Sequence, residues 1–203
     1  MSSVLDSHAM AEVLFFHHAQ GLTAGLRSLA DELRAAGHVV HTPDLYEGAT
    51  FATVDEGVAN AKKIGFGNIL ERGVRAAERL PNEIVYAGVS LGVMPAQKLA
   101  QTRPGAKGAL LLSAAIPPSE FGGPWPPSVP LQIHMMDRDK WVEEGDLGAA
   151  KVLAAEVPGA ELHLYPGERH LFMDPSLSDY DEGAAKLLME HVRRFLLRVT
   201  VIA

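Results

Sequence analysis

Short apolar runs alternate along the chain with longer stretches in which apolar residues recur every three or four positions. Residues 11–16 predict a buried strand. Leu22, Leu26, Leu29 and Leu33 fall on one face of a helix over 22–36, which Gly37 stops. Residues 38–41, centred on Val39 and Val40, predict a second strand ended by Pro43. The alternation continues with a helix over 66–80, a strand over 83–89 and a helix over 91–102. Strands at 108–113 and 131–136, a helix at 147–156, a strand at 161–165 and a long helix at 180–199 complete it. Such strand–helix alternation predicts an α/β fold, with a doubly wound, mostly parallel sheet of about six strands covered on both faces. Ligands of such sheets sit past the carboxyl ends of the strands, so each loop that follows a strand is a candidate site wall.

Two segments depart from the alternation. Residues 117–130 hold six of the thirteen prolines, together with Phe121 and Trp125. Proline this dense forbids a regular helix, and the segment is expected to be a stiff loop whose aromatics wall a pocket. Residues 1–10 show no periodicity. They are expected to be a poorly structured N-terminus or, from Ser7-His8-Ala9-Met10, a cloning remnant, with one domain over 11–203.

Composition narrows the partners. The chain has 203 residues, 47% hydrophobic and 21% charged, an ordinary globular balance. A formal charge of −7 disfavours nucleic acid, whose phosphates need clustered Lys and Arg. No run is long enough to span a membrane and no basic amphipathic stretch would lie on one. Cysteine is absent, which removes disulfides, thiolate metal sites and a cysteine nucleophile together. The early apolar run has no charged region before it, so no signal peptide is expected and the protein is placed in the cytoplasm. His17-His18 with His38 and His41 could suggest a metal site. Residues three apart in a strand face opposite sides, however, and no metal or other cofactor is expected.

Chemistry concentrates after the third strand. Gly88-Val89-Ser90-Leu91-Gly92 is a G-x-S-x-G string between a predicted strand and a predicted helix. A sharp strand-to-helix turn would strain the Ser90 backbone, small residues two before and two after would relieve the crowding, and the helix N-terminus would favour developing negative charge. An ordinary tight turn capped by Ser90 would look the same locally. A serine hydroxyl needs a base. Of the histidines beyond Ser90, His134 and His163 lie in predicted strands and His191 in a helix. His170 alone follows a strand in a loop, Tyr165-Pro166-Gly167-Glu168-Arg169-His170. The acid that orients the imidazole should follow the strand at 131–136. Asp137 and Asp139 both qualify, with Glu143, Glu144 and Asp146 slightly beyond.

Three segments together resemble the dienelactone hydrolase family. They are His18-Ala19-Gln20-Gly21-Leu22 with the later Gly37-His38-Val39-Val40 and Pro43-Asp44-Leu45-Tyr46, then 88–92, then 165–172. The resemblance spans about 11–197 and implies a compact α/β-hydrolase fold without a large cap. The family's acid string resembles Met136-Asp137-Arg138-Asp139-Lys140-Trp141-Val142, which puts Asp139 in the acid position, although Met136 replaces the usual glycine. It also implies oxyanion donors at the backbone N–H groups of Ala19 and Leu91. Members that open dienelactones carry a cysteine nucleophile, a first-loop glutamate and an arginine soon after the histidine. Here Ser90, His18 and Leu171-Phe172-Met173-Asp174 stand there, so a neutral ester or thioester is a better expectation than the anionic lactone.

The expected function is therefore a serine hydrolase that cleaves a small carboxylic ester or lactone through an acyl-enzyme, with Ser90, His170 and Asp139 as the triad. His18, Phe121, Trp125, Trp141 and Phe172 are the expected substrate-binding residues. Two alternatives share the fold: a non-catalytic small-molecule-binding module, and a thioesterase or acyltransferase using the same triad.

Overall fold

The computed structural model describes residues 10–142 and 145–201. The expectations for residues 1–9, and for Glu143 and Glu144 as acids, fall outside the described residues. Six strands form one sheet: β1 (Glu12–Phe16), β2 (Val39–His41), β3 (Val85–Val89), β4 (Gly108–Leu112), β5 (Leu131–Met136) and β6 (Glu161–Tyr165). Their order is β2-β1-β3-β4-β5-β6, and every pairing is parallel. Among the described residues six helices connect and cover them: α1 (Ala24–Ala35), α2 (Val54–Ile64), α3 (Phe66–Ala77), α4 (Val93–Thr102), α5 (Asp146–Glu156) and α6 (Glu182–Val201).

Alternation along the strands divides the apolar residues between two cores. From β1, Val13 and Phe15 pack with Leu26 and Leu33 of α1 and with Val192 and Phe195 of α6. Leu14 and Phe16 enter the opposite core with Ile69 of α3, Leu99 of α4 and Leu153 of α5. Each fully buried Leu or Phe contributes about 1.5–3 kcal/mol. The central strands β3, β4 and β5 are buried at every position because helices cover both faces, whereas the edge strands β2 and β6 are partly exposed. Connections leave β1 toward β2 on one side, while β3 lies on the other. The strand order therefore turns between β1 and β3, where a crevice opens at the carboxyl ends.

Several elements differ from the sequence expectation, each for a local reason. Helix α2 was not anticipated. Its inner face carries Val54, Gly57, Val58, Ala61 and Ile64 at helical spacing, and its start is marked by the capping box Thr53-x-x-Glu56, in which both side chains bond backbone N–H groups. Helix α1 starts two residues late because Thr23 caps it, accepting from the Leu26 N–H. The segment 117–130 contains one short 3-10 turn, Pro118–Phe121. Trp125 is enclosed: it is buried in the α3–α5 core, and its indole N–H donates to the Val129 carbonyl at 2.8 Å. Among the described residues no helix is long and apolar enough to cross a membrane.

Candidate active site

Strand β3 runs directly into a single 3-10 turn, Ser90–Gly92, before α4 begins. Ser90 sits at φ +50°, a left-handed conformation that costs a non-glycine residue energy and is held here by its surroundings. A Cβ on Gly88 would come within 2.2 Å of the Gly92 carbonyl oxygen. One on Gly92 would come within 2.5 Å of the Phe16 oxygen and 2.6 Å of the His17 oxygen. The two glycines thus allow the serine turn to close on itself and to press against the end of β1.

Two further loops converge on that hydroxyl. His170, in the loop after β6, places Nε2 2.8 Å from Ser90 Oγ. Asp139, three residues past β5, accepts at Oδ2 from the other ring nitrogen, Nδ1, at 2.6 Å. Both His170 and Asp139 are buried. The Trp141 N–H donates to Asp139 Oδ1 at 2.9 Å, which holds the carboxylate from its second oxygen. Asp137 is exposed and does something else: its Oδ1 accepts from the Gly167 N–H at 2.9 Å, bracing the loops after β5 and β6. Asp146 opens α5 near this pair. Burial raises its carboxyl to about 6, with the Asp139 charge adding to the rise and His170 opposing it.

The loop after β1 forms the facing wall. The Leu45 N–H donates to His17 Nε2 at 2.9 Å, so the His17 proton is on Nδ1, which donates to the His18 carbonyl at 2.8 Å. Tyr46 packs edge-on against the His17 ring and donates to the Gly57 carbonyl. Asp44 accepts from the N–H groups of Tyr46 and Gly48. The Pro43–Tyr46 string therefore braces the β1 loop from behind. His18 does not line the site mouth as expected. It is fully enclosed, bonded to Asp174 Oδ2 at 2.9 Å and to the Gln20 N–H at 3.2 Å.

An open cleft of about 510 Å³ reaches His170, lined in part by Gln20, Val54, Trp141, Arg169 and Leu177. Of the five expected substrate-binding residues only Trp141 borders it. Trp141 is partly exposed, with its ring 5.9 Å from that of His170. Phe172 is fully buried against Tyr165, and Phe121 lies beneath Lys98, outside the cleft. Phe172 joins the apolar core under α1 and α6, whereas Phe121 stays half-buried at the end of a short 3-10 turn. The cleft is also lined by charged residues that sequence reasoning did not single out, Arg138, Lys140 and Arg169 together with Asp55, Glu168 and Asp179. His134, His163 and His191 form a stacked group between β5, β6 and α6; among the described residues no cluster of His, Cys, Asp or Glu could hold a metal.

Acid should destabilise the fold through its buried imidazoles. Burial lowers His17 from 6.5 to about 4, and burial with the neighbouring His163 and His191 charges puts His134 well below 6.5. Both are held neutral when folded, whereas the unfolded chain takes up protons below 6.5. The stabilisation is thus complete above 6.5 and is lost as pH falls toward about 4. For His17 alone the loss is on the order of 3 kcal/mol. Urea midpoints at pH 7.5 and 4.5 should differ accordingly; equal midpoints would contradict it.

A parallel sheet with its crevice at the β1/β3 switch, a strained serine on a strand-to-helix turn, and a histidine bridging that serine to a buried aspartate define an α/β-hydrolase. The family model of the dienelactone hydrolases matches residues 4–200, and the chain belongs to that family. Membership supports a hydrolase activity. Solved structures of the same fold include a dienelactone hydrolase-like promiscuous phosphotriesterase from metagenomic libraries, with a TM-score of 0.73 at 15% identity over 93% of this chain and 86% of its own. The dienelactone hydrolase of Anabaena variabilis has a TM-score of 0.66 at 19% identity, over 95% and 88% of the two chains. A pyrethroid hydrolase from Sphingobium faniae has a TM-score of 0.59 at 16% identity, over 92% and 97%. No curated protein sequence matches significantly.

Proposed function

We propose that this protein is a serine esterase that hydrolyses small carboxylic esters or lactones through an acyl-enzyme. The observation that carries it is the unbroken relay from Ser90 Oγ through His170 to Asp139, at 2.8 and 2.6 Å, with the serine held at φ +50° above the sheet. His170 Nε2 takes the Ser90 proton as Oγ bonds to the ester carbonyl carbon. The charge gathered on the carbonyl oxygen is met by the N–H groups of Leu91 and Ala19, worth several kcal/mol of barrier. The ester C–O bond then breaks, and the leaving alkoxide takes the proton from His170. Water, giving its proton to His170, attacks the acyl carbon; Oγ departs with that proton and the acid is released. Asp139 keeps the histidine proton on Nδ1 in the resting state and stabilises the imidazolium during each transfer.

The cleft is open and mixed in polarity, with Trp141 beside His170, which suits a small acyl or alcohol portion resting on an indole face. An activated serine also separates an enzyme from a binding module on the same fold. Intact-mass analysis after a fluorophosphonate should show one adduct on the wild type and none on Ser90→Ala. A folded wild type that takes no label would exclude the esterase and leave the binding module.

A further inference from the structure

The segment that carries His170 continues into a second buried aspartate that the ester hydrolysis proposed above does not use. Leu171, Phe172, Met173 and Asp174 are all fully buried, and Asp174 lies four residues past His170. Its Oδ2 accepts from His18 Nε2 at 2.9 Å and from the Thr23 hydroxyl at 2.5 Å. Its Oδ1 accepts from the Ser176 N–H at 2.9 Å and hydroxyl at 2.7 Å. Burial would raise this carboxyl, but the bonds from His18, Thr23 and Ser176 outweigh it and hold it at about 2, so it is charged at any working pH. Gly25 is required beside it, since a Cβ there would sit 1.7 Å from Oδ1.

The arrangement decides which nitrogen of His18 carries a proton. A charged carboxylate accepts only, so Nε2 must donate; Nδ1 is then a bare lone pair, free to accept the Gln20 N–H at 3.2 Å. The His18 carbonyl is held at the same time by the Gly21 N–H at 3.0 Å and by His17 Nδ1 at 2.8 Å. A planar trans peptide whose oxygen is held has its N–H aimed the opposite way, and here that N–H belongs to Ala19. No acceptor among the described residues pairs with it. The same loop lies against Gly92 of the serine turn.

We propose that Asp174 is a positioning residue for the oxyanion step. Through the His18 imidazole it sets the orientation of the His18–Ala19 peptide, and it anchors that peptide to the chain segment bearing His170, so that oxyanion donor and base are placed by one buried group. The molecule thus contains two aspartate–histidine pairs: Asp139 orients the base and Asp174 orients the oxyanion loop. The role presupposes the esterase activity.

Asn at 174 would offer an amide donor to Nε2, push the proton to Nδ1 and set it against the Gln20 N–H. Asp174→Asn should lower kcat for p-nitrophenyl acetate about 10–100-fold with KM within twofold, as expected for an interaction made only in the transition state. Phenylboronic acid, which forms a tetrahedral adduct on Ser90, should lose affinity by a similar factor, while the acid limb of kcat/KM stays where it is in the wild type. A folded variant with kcat within threefold of wild type, or one whose acid limb moves, would overturn the role, because the first says the loop needs no such anchor and the second that Asp174 acts through His170. Should Asp174→Asn not fold, long-range 15N–1H correlation on the wild type decides instead: His18 protonated on Nε2 and bare on Nδ1 at pH 8 supports the role, and an Nδ1–H tautomer overturns it. If the wild type hydrolyses no ester, the esterase proposal fails, and the catalytic role of Asp174 falls with it whatever the tautomer.

Discussion

Replacing His170 by alanine should cut turnover of an activated ester by about 10⁴–10⁶-fold with little change in KM. The size follows from the lack of a stand-in among the described residues, where only His170 has a ring nitrogen bonded to Ser90 Oγ. Both nitrogens of His17 and of His18 are already engaged within the β1 loop. His134 is likewise held at both nitrogens, by Tyr165 and Gln132, and His163 stacks between it and His191 on the side of the sheet that α6 covers. Residual activity would come from the oxyanion donors and from binding alone. Steady-state rates with p-nitrophenyl acetate, corrected for spontaneous hydrolysis, measure it. An His170→Ala variant within tenfold of wild type would mean that something else removes the serine proton.

The second large effect should separate two aspartates that stand two residues apart. Asp139→Asn is expected to lower kcat by about 10³–10⁴-fold. Its carboxamide can donate to Nδ1, which moves the imidazole proton to Nε2, where it faces the serine hydroxyl as a donor and can no longer accept. The bond from the Trp141 N–H to Oδ1 would keep the side chain in place, so the loss should appear in kcat with the fold intact. Asp137→Asn should change kcat by less than about threefold, because that exposed side chain accepts the Gly167 N–H, a bond its amide oxygen can still accept, and otherwise forms an exposed ion pair with Arg138. Parallel kinetics and thermal melts on the two variants check both. A larger kinetic loss at 137 than at 139 would reverse the assignment.

How much of this site is legible without coordinates depends on whether a residue's role is local. The glycines around Ser90 are dictated by the turn itself, since contacts of 2.2 and 2.5 Å forbid a Cβ at either place, so the string carries its own geometry. His170 is marked by the turn residues Pro166 and Gly167 that put its loop at the carboxyl edge. Asp139 is a weaker case: spacing leaves it level with Asp137, and only the family string prefers it. Directions of side chains within loops are not local. His18, Trp125 and Phe172 read as substrate residues from their type and neighbourhood, yet each is enclosed, His18 by its bond to Asp174 and the two aromatics within the apolar cores. Helix α2, by contrast, is legible locally, since Val54, Val58, Ala61 and Ile64 recur at helical spacing behind the capping box Thr53-x-x-Glu56.

By itself the sequence determined the α/β class, the strand-to-helix turn at Ser90 and the run of loops along one sheet edge. These follow from periodicity and backbone sterics, which act over a few residues. The tertiary structure alone decided which acid meets His170, which side chains border the cleft, and that Asp174 reaches back 156 positions to His18. Those pairings depend on the strand order, which places the loops after β1, β3, β5 and β6 around one crevice. No local pattern encodes the distance between groups that only the closed sheet brings together.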